Sequence, residues 1–552
     1  MANIFDVLII GYGPAGATAA NLLGKRGYTV AVIDQSPEIY DKPRAITADQ
    51  EAMRVFQACG LAEIIEPATV PHPGTDFVGV EGQVIKRFYP QPPPNQLGWE
   101  PTWMFVQPEL EETLRQGATR YDKVHVFLAH EFVSLDQTED CVVATVRRLE
   151  DGAMLEMQAR YVIACDGARS PVRQQMGATI EDLAFDEWWI VVDAWLRGQV
   201  ELPSRCVQYC RPSRPGTYIV GPGDLRRWEI KMLPGERPED FTDESGILKV
   251  LSQFVDVEPL ELCRSAVYRF HALVVEQWRF GRVFLMGDAA HQMPPFLGQG
   301  LCAAIRDAIN LVWKIDAVER LGCTPALLDT YGQERTPHVR TIVSHAKSFG
   351  LIIGELDERA ARARDASLIE QLASGQAETV RQKFIPGLDA GLVDLDANRR
   401  PRAGAGSLFV QPWVCTDGGP FQRLDDLLQP RFLLASASLD VLSWLDDETR
   451  ELWQRIEGQQ VRINTQVEPG LITGTTLVVT ERDGIFSAWM NSLGAKVALV
   501  RPDRYVYGTA NNPVELRQIV GQLGRSMFEG AASRSDGAFM PDRDVAAQSE
   551  PV

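Results

Sequence analysis

The residues best suited to chemistry stand near the start of the chain: Gly11-Tyr12-Gly13-Pro14-Ala15-Gly16, followed by an acid, Asp34. Glycines at this spacing suit a backbone that must wrap a pyrophosphate. Gly11 permits a tight turn, Gly13 lets the backbone approach phosphates, and Gly16 lets a helix starting near Ala15 pack closely on a sheet. That helix would turn its positive end toward the phosphates. Asp34, roughly 20 residues beyond the glycines, lies where a carboxylate accepts hydrogen bonds from ribose hydroxyls. The elements that must position these groups flank them. Strand Asp6-Val7-Leu8-Ile9-Ile10 runs into the glycines, and the apolar strand Thr29-Val30-Ala31-Val32-Ile33 ends at the acid. Strand, turn, helix, strand and acid together predict a bound dinucleotide.

Two later segments repeat the logic. Ala164-Cys165-Asp166-Gly167-Ala168-Arg169-Ser170 follows a strand over 161–165, and Gly287-Asp288-Ala289-Ala290-His291 follows a strand over 283–286. Each places a carboxylate at the C-terminal edge of a strand, where α/β sheets bind ligands. In Pro294-Pro295-Phe296-Leu297-Gly298-Gln299-Gly300 the prolines stiffen the chain, and Gly298 and Gly300 let backbone meet a flat ring without a Cβ between. From Leu301, apolar residues at 305, 308, 311, 312, 315 and 318 predict a helix with one buried stripe, ended by Gly322. Its free N-terminal amides would face whatever binds there.

With 552 residues, 45% of them hydrophobic, the chain can form two to four domains with substantial cores. Its longest apolar runs are strand-length, short of the roughly 20 residues of a membrane span. No basic region precedes the first apolar run, so no secretory signal is expected and the cytoplasm is the expected location. A formal charge of −19 without a long basic run disfavours nucleic acid as a partner. Nine cysteines include no Cys-x-x-Cys pair, and no histidine has zinc-like spacing, so neither disulfides nor a metal site is expected. Cys302, like Cys206 and Cys210, reads as a small buried residue. His291 reads as packing rather than as a base.

The three ordered motifs closely resemble the single-component FAD-dependent aromatic hydroxylases, the class A flavin enzymes that include para-hydroxybenzoate and phenol hydroxylases. The resemblance covers roughly residues 5–350. Pro43-Arg44-Ala45, Phe105-Val106-Gln107-Pro108, Trp189-Ile190-Val191-Val192-Asp193 and Arg306-Asp307-Ala308-Ile309-Asn310-Leu311 make the chain most similar to the branch of 3-(3-hydroxyphenyl)propionate hydroxylases. It implies an α/β fold. A Rossmann-like FAD-binding domain would occupy 1–180, with an insertion near 75–105 serving a mixed β-sheet substrate domain over 181–275. Its second part and further helices would span 276–395. A thioredoxin-like domain would fill 396–530, and a polar tail over 531–552 is expected to be disordered.

By the same resemblance, Gly11, Gly13, Pro14, Ala15, Gly16, Asp34 and Gln35 would hold the adenosine and pyrophosphate side of FAD. Arg44 and Gln107 would contact FAD near its phosphates and sugar, and Gly287 and Asp288 its ribitol. Asp166 and Arg169 would shape the passage used by FAD and by NADH or NADPH. Gly298, Gly300 and Leu301 would meet the pyrimidine edge, where the helix dipole favours the reduced anion. The family often has asparagine where this chain has Cys302, which leaves that edge to the backbone of Gly300 and Leu301. The carbonyl of Pro295 would touch the phenolic hydroxyl. Trp188, Trp189 and Trp195 would offer aromatic surface to the substrate, although strand alternation sends at least one of them into the core.

The implied reaction is ortho-hydroxylation of a small phenol with O2 and a nicotinamide nucleotide, through a flavin C4a-hydroperoxide. The expected substrate is 3-(3-hydroxyphenyl)propionate or 3-hydroxycinnamate, giving the 2,3-dihydroxy product. A polyketide or other phenol hydroxylase, and a flavin-dependent reductase or dehydrogenase, are the alternatives; a non-catalytic interaction protein would be colourless even with added FAD. No membrane partner is expected, and a homodimer is compatible with the sequence. The C-terminal unit, lacking Cys-x-x-Cys, should carry no thiol redox activity.

Overall fold

The computed structural model describes residues 4–42, 44–416, 418–437, 440–466 and 476–529. Pro43 and the tail expected to be disordered lie outside the described residues.

Apolar runs such as Val7–Ile10 and Val30–Ile33 are buried on both faces of a sheet, as continuous hydrophobic strands of parallel sheets are. In that eight-stranded sheet Phe5–Ile10 is central. It pairs in parallel with Val30–Asp34 on one side and with Met154–Ala164 on the other, and Val283–Leu285 adds in parallel beyond. Strand register gathers the three motifs at one edge. Ile10 lies opposite Ala164, and Ala164 opposite Leu285, so the motif loops leave neighbouring strand ends together. Two helices pack beside them: Pro14–Lys25, with proline in its first turn, and Gly300–Leu321, which ends at Gly322 in left-handed conformation.

A nine-stranded sheet stands opposite. Its order is His291–Gln292, Leu260–Val275, Ile180–Leu196, Leu225–Lys231, Gly216–Val220, Cys206–Tyr209, Thr75–Val78, Val84–Tyr89 and Glu378–Val380. The sequence reading leaves 378–380 with the helices after 276; in the structure this segment pairs in parallel with Arg87–Tyr89. Thr102–Met104, within the 75–105 insertion, joins instead a three-stranded sheet with Thr47–Asp49 and Val70–Pro71.

The C-terminal part builds a seven-stranded sheet. Leu433–Ser436 is followed by the Asp447–Arg455 helix and the parallel strand Gln459–Asn464. The Ile485–Leu493 helix then leads to the antiparallel pair Val497–Val500 and Val506–Ala510, and the Pro513–Phe528 helix closes the unit. Its apolar cluster is shared: Trp313, Ala317 and Leu327 pack with Phe432, Trp453 and Leu516. Among the described residues no helix is long and apolar enough to cross a membrane.

Candidate functional site

Between the parallel sheet and the nine-stranded sheet lies a cavity of about 400 Å³, within the range of small-molecule sites. All three motif loops reach it, through Gly13, Pro14 and Ala15, through Gly167 and Ala168, and through Asp288; Arg44 and Gln107 complete that side. The glycines divide by role. Gly11 has φ of +100°, and a Cβ there would sit 2.3 Å from the Cys165 carbonyl oxygen; one on Gly16 would sit 2.0 Å from the oxygen of Gly11. Those two let the loop, the neighbouring strand and the helix close on each other. Gly13 differs: a Cβ would meet no atom within 4 Å, although the residue lines the cavity. The loop is therefore a cradle with room left beside its backbone, and it fits a phosphate-bearing group held at a helix N-terminus.

Asp34 holds the loop from behind. Its Oδ2 accepts the Tyr12 N–H at 2.6 Å and its Oδ1 the Ser36 N–H at 2.8 Å, and the following Gln35 is exposed. Gln107 is buried, and its Oε1 accepts the Ala45 N–H at 2.7 Å, which fixes the segment carrying Arg44. Arg44 is exposed and lies over the Tyr40 ring. Asp166 and Arg169 do not reach the cavity wall. The Asp166 carboxylate accepts the Val172 N–H at 3.0 Å, and Arg169 is exposed.

Gly287, at φ +62°, turns the chain so that Asp288 is exposed at the cavity. Two residues outside the sequence-predicted set hold this turn. Arg173 donates to the carbonyls of Ala289 (3.0 Å), Ala168 (2.6 Å) and Asp288 (3.4 Å), tying two motif loops together. Fully buried Asp307 accepts from the Gly287 N–H at 3.2 Å, from His291 Nε2 at 2.8 Å and from Arg335 Nε at 2.8 Å. Burial alone would raise the Asp307 carboxyl, but Arg335 and His291 outweigh it and hold it below the usual carboxylate range.

Pro295, Gly298, Gly300 and Leu301 all line the cavity. The Pro295 carbonyl accepts the Gly298 N–H at 2.8 Å, leaving its second lone pair. The Gly300–Leu321 helix has no side-chain cap and no acid in its first turn, so its amides and positive end are directed at the cavity. Cys302 is buried, and burial first of all pushes its thiol well up, as a core residue requires.

The facing wall corrects one expectation. None of Trp188, Trp189 and Trp195 lines the cavity: Trp189 is buried against Phe296, and Trp188 lies on the opposite sheet face with Arg269 over its ring. Trp189 and Trp195 share a strand face with Val191 but lie to either side of it, packed against Phe296 and against Ile46, Met104 and Leu225. Val191, Glu229, Thr217 and Gln208 stand in register on adjacent strands, and all four line the cavity. Beside them Arg227 is gripped by Asp193, which also binds Arg264 at 2.7 Å. Arg381, 8% exposed, reaches the wall from the segment after 378–380. Its guanidinium has only long contacts, to His72 Nε2 (3.2 Å), Thr75 Oγ1 (3.4 Å) and the Leu297 carbonyl (3.5 Å), and no carboxylate partner among the described residues.

Comparison with known proteins bears on the family and the fold. A family described as an FAD binding domain matches residues 5–346, and one described as the HcaD C-terminal domain matches 406–526. A 3-(3-hydroxy-phenyl)propionate/3-hydroxycinnamic acid hydroxylase of Burkholderia cenocepacia (strain HI2424) is 33% identical over 515 residues, spanning 91% of this chain and 93% of the relative. A probable NADH-specific resorcinol 4-hydroxylase of Rhodococcus jostii (strain RHA1) is 33% identical over 522 residues, 94% of each. In fold, the flavin-dependent monooxygenase PieE, solved with FAD and substrate, superposes with a TM-score of 0.79 at 21% identity, covering 95% of this chain and 99% of that one. Aklavinone-11 hydroxylase gives 0.74 at 21% identity, with the same coverage of both chains.

Proposed function

From the premise that the chain belongs to the FAD-binding family of single-component aromatic hydroxylases, we propose that it inserts one oxygen atom ortho to the hydroxyl of a small phenol bearing an acidic side chain. The best candidates are 3-(3-hydroxyphenyl)propionate and 3-hydroxycinnamate. FAD, once bound, supplies the oxygen chemistry, drawing electrons from a nicotinamide nucleotide. The protein's share is binding, orientation and exclusion of water.

Gly13 and the first helix would receive the pyrophosphate, with Gly11 and Gly16 closing the loop and Asp34 bracing it; Asp288 would take the ribitol, and Arg44 and Gln107 the phosphate and sugar region. The amides at Gly300 and Leu301 would stabilise negative charge on the ring's pyrimidine edge by roughly 0.3–1 kcal/mol, more where buried. The Pro295 carbonyl would accept the phenolic hydroxyl. Gly167 and Ala168 would line the passage with support from Asp166, Arg169 and Arg173. The C-terminal strand order supports a thioredoxin-like reading of that unit.

Arg381 is the observation that carries the acidic side chain. A guanidinium buried without an anion is costly, and a carboxylate entering the cavity would satisfy it with charge-assisted hydrogen bonds. The resorcinol hydroxylase relative supports a second reading, a neutral diphenol. Purified protein given FAD, NADH and a panel of phenols separates them, with product mass followed alongside NADH oxidation. We expect a gain of one oxygen, best coupled for 3-hydroxyphenyl acids, and for Arg381→Gln a KM for those acids raised about tenfold or more with little change for resorcinol. NADH oxidation that yields only hydrogen peroxide across the whole panel would overturn the hydroxylase reading.

A further inference from the structure

A hydroxylase of phenols needs a group to take the phenolic proton, because the ionised ring is the better nucleophile. Five imidazole and carboxyl side chains line the cavity, and four are engaged or misplaced. His271 faces the Asp186 carboxylate, with Nδ1 3.5 Å from it. His291 gives Nε2 to Asp307 and stacks on Trp278 beneath the Gly287 turn. His72 has the Gly74 N–H at Nδ1 (2.9 Å) and Arg381 at Nε2, so a donor already faces each nitrogen. Asp288 is exposed, on the side of the cradle. Glu229 remains.

Its side chain is 7% exposed, lies on the cavity face of its strand, and accepts no hydrogen bond among the described residues. Buried carboxylates in folded proteins are nearly always hydrogen-bonded, so one left open toward a cavity is available to a ligand. The nearest cation, Arg227, has Nη1 4.0 Å away, but its Nε and Nη2 are bound by Asp193 at 2.6 and 2.9 Å and its Nη1 donates to the Arg44 carbonyl. Lys231, two residues along, is paired with Glu187 at 2.7 Å. Arg264 is held by Asp193, and Arg381 stands at the far edge of the same face, beside Thr75. On the adjacent strands Thr217 and Gln208 are hydrogen-bonded to each other. Among the described residues only Arg227, at 4.0 Å and already bound by Asp193 and the Arg44 carbonyl, faces Glu229 with a positive charge.

We propose that Glu229 is the catalytic base of this enzyme, the group whose carboxylate oxygen takes the proton of the substrate's phenolic hydroxyl. The inference rests on the hydroxylase reading above. The phenolic O–H bond breaks, the proton forms an O–H bond on Glu229, and the electron pair left on the phenol oxygen would drive the ortho carbon to bond the terminal oxygen of a peroxide formed from O2 with the electrons of the nicotinamide nucleotide; that peroxide's O–O bond would break, its other oxygen leaving with the electron pair and, once protonated, ending as water. The ring carbon then loses its hydrogen as a proton to water, while Glu229 returns its proton to the substrate oxygen and is again a carboxylate. Electrostatics sets the substrate's direction. A carboxylate tail is repelled by Glu229 and attracted by Arg381, so the hydroxyl goes to the glutamate end, where its one proton passes to Glu229 in place of the Pro295 carbonyl. Burial raises the Glu229 carboxyl to about 7, against the pull of Arg227, which suits a base working near neutral pH.

The test compares wild type with Glu229→Gln, each loaded with FAD, on the best phenol of the panel. In wild type, kcat/KM should rise with pH through an ionisation near 7. In Glu229→Gln, hydroxylation at neutral pH should fall about 10²–10⁴-fold, as loss of a general base does, and recover only as pH approaches the phenol's own ionisation near 10. Stoichiometric binding of a chromogenic nitrophenol, read by the absorbance of its ionised form, should show less phenolate in the variant. Should Glu229→Gln not retain FAD, Glu229→Ala assayed with added acetate replaces it, and acetate should restore turnover. A variant that keeps the acid limb and the wild-type rate, or an alanine variant that acetate does not rescue, overturns the assignment. Wild-type protein that hydroxylates no phenol overturns the reading beneath it instead.

Discussion

A glycine can be required by the fold or by a ligand, and within one loop this chain has both kinds. Gly11 and Gly16 are fixed by backbone atoms of Cys165 and Gly11, whereas the space beside Gly13 is open. Gly11→Ala should therefore cost more than the 1–3 kcal/mol of backbone strain alone and lower the thermal midpoint even of apoprotein. Gly13→Ala should leave that midpoint unchanged and weaken FAD binding at least tenfold, measured by quenching of flavin fluorescence. Equal loss of apoprotein stability in both would contradict this division. The glycine pattern was legible in the sequence because tight turns and close approach are local demands. Glu229 and Arg381 were not, because nothing near them in the chain announces that their charges go unpaired. The tryptophans misled for a related reason: alternation puts Trp189 and Trp195 on the face of Val191 without saying where along that face the cavity opens.

At the scale of elements, the Gly300–Leu321 helix does two jobs, presenting free amides at the cavity and holding the Gly287 turn through Asp307. Asp307→Asn would leave Arg335 buried without its anion, a loss of about 3–5 kcal/mol for a broken buried pair. It would also loosen the turn that aims Asp288. We expect a lower thermal midpoint together with weaker FAD affinity, both measurable on purified protein; unchanged affinity would mean that the turn is held without Asp307. The bounds of this helix followed from its apolar period and from Gly322. Its partners did not, since His291 and Arg335 come from segments 16 residues before and 28 residues after Asp307. The sequence also placed a strand over 188–195, where the structure extends it to Ile180–Leu196, because pairing along Leu260–Val275 supports the polar residues at its start.

Across the whole molecule, the C-terminal unit is joined to the cofactor-binding part by a buried ionic cluster. Arg501 binds Glu334 at 2.8 Å and Asp503 at 2.6 Å, and Lys314 binds Glu334 at 2.7 Å, all fully buried. Burial alone would raise the Glu334 carboxyl, but Arg501 and Lys314 prevail and hold it at about 2. Its folded value lies below its unfolded one, so the stability it contributes is complete above about pH 4.5 and is lost as pH falls toward 2. Thermal midpoints taken across that window should fall for wild type and fall less for Glu334→Gln, which starts lower. Ending the chain at 405 should give an insoluble product, because it strips Phe432, Trp453 and Leu516 from Trp313 and Leu327. A soluble, FAD-binding fragment would show the two parts to be independent.

The sequence by itself determined three segments, far apart in the chain, whose residue types suit a dinucleotide cofactor, because glycine geometry, strand ends and helix starts are written in residues a few places apart. Only the tertiary structure decided which wall faces those segments and which charges on it lack partners. A charge counts as unpaired only when every neighbour is known, and here the neighbours come from strands and loops hundreds of residues away.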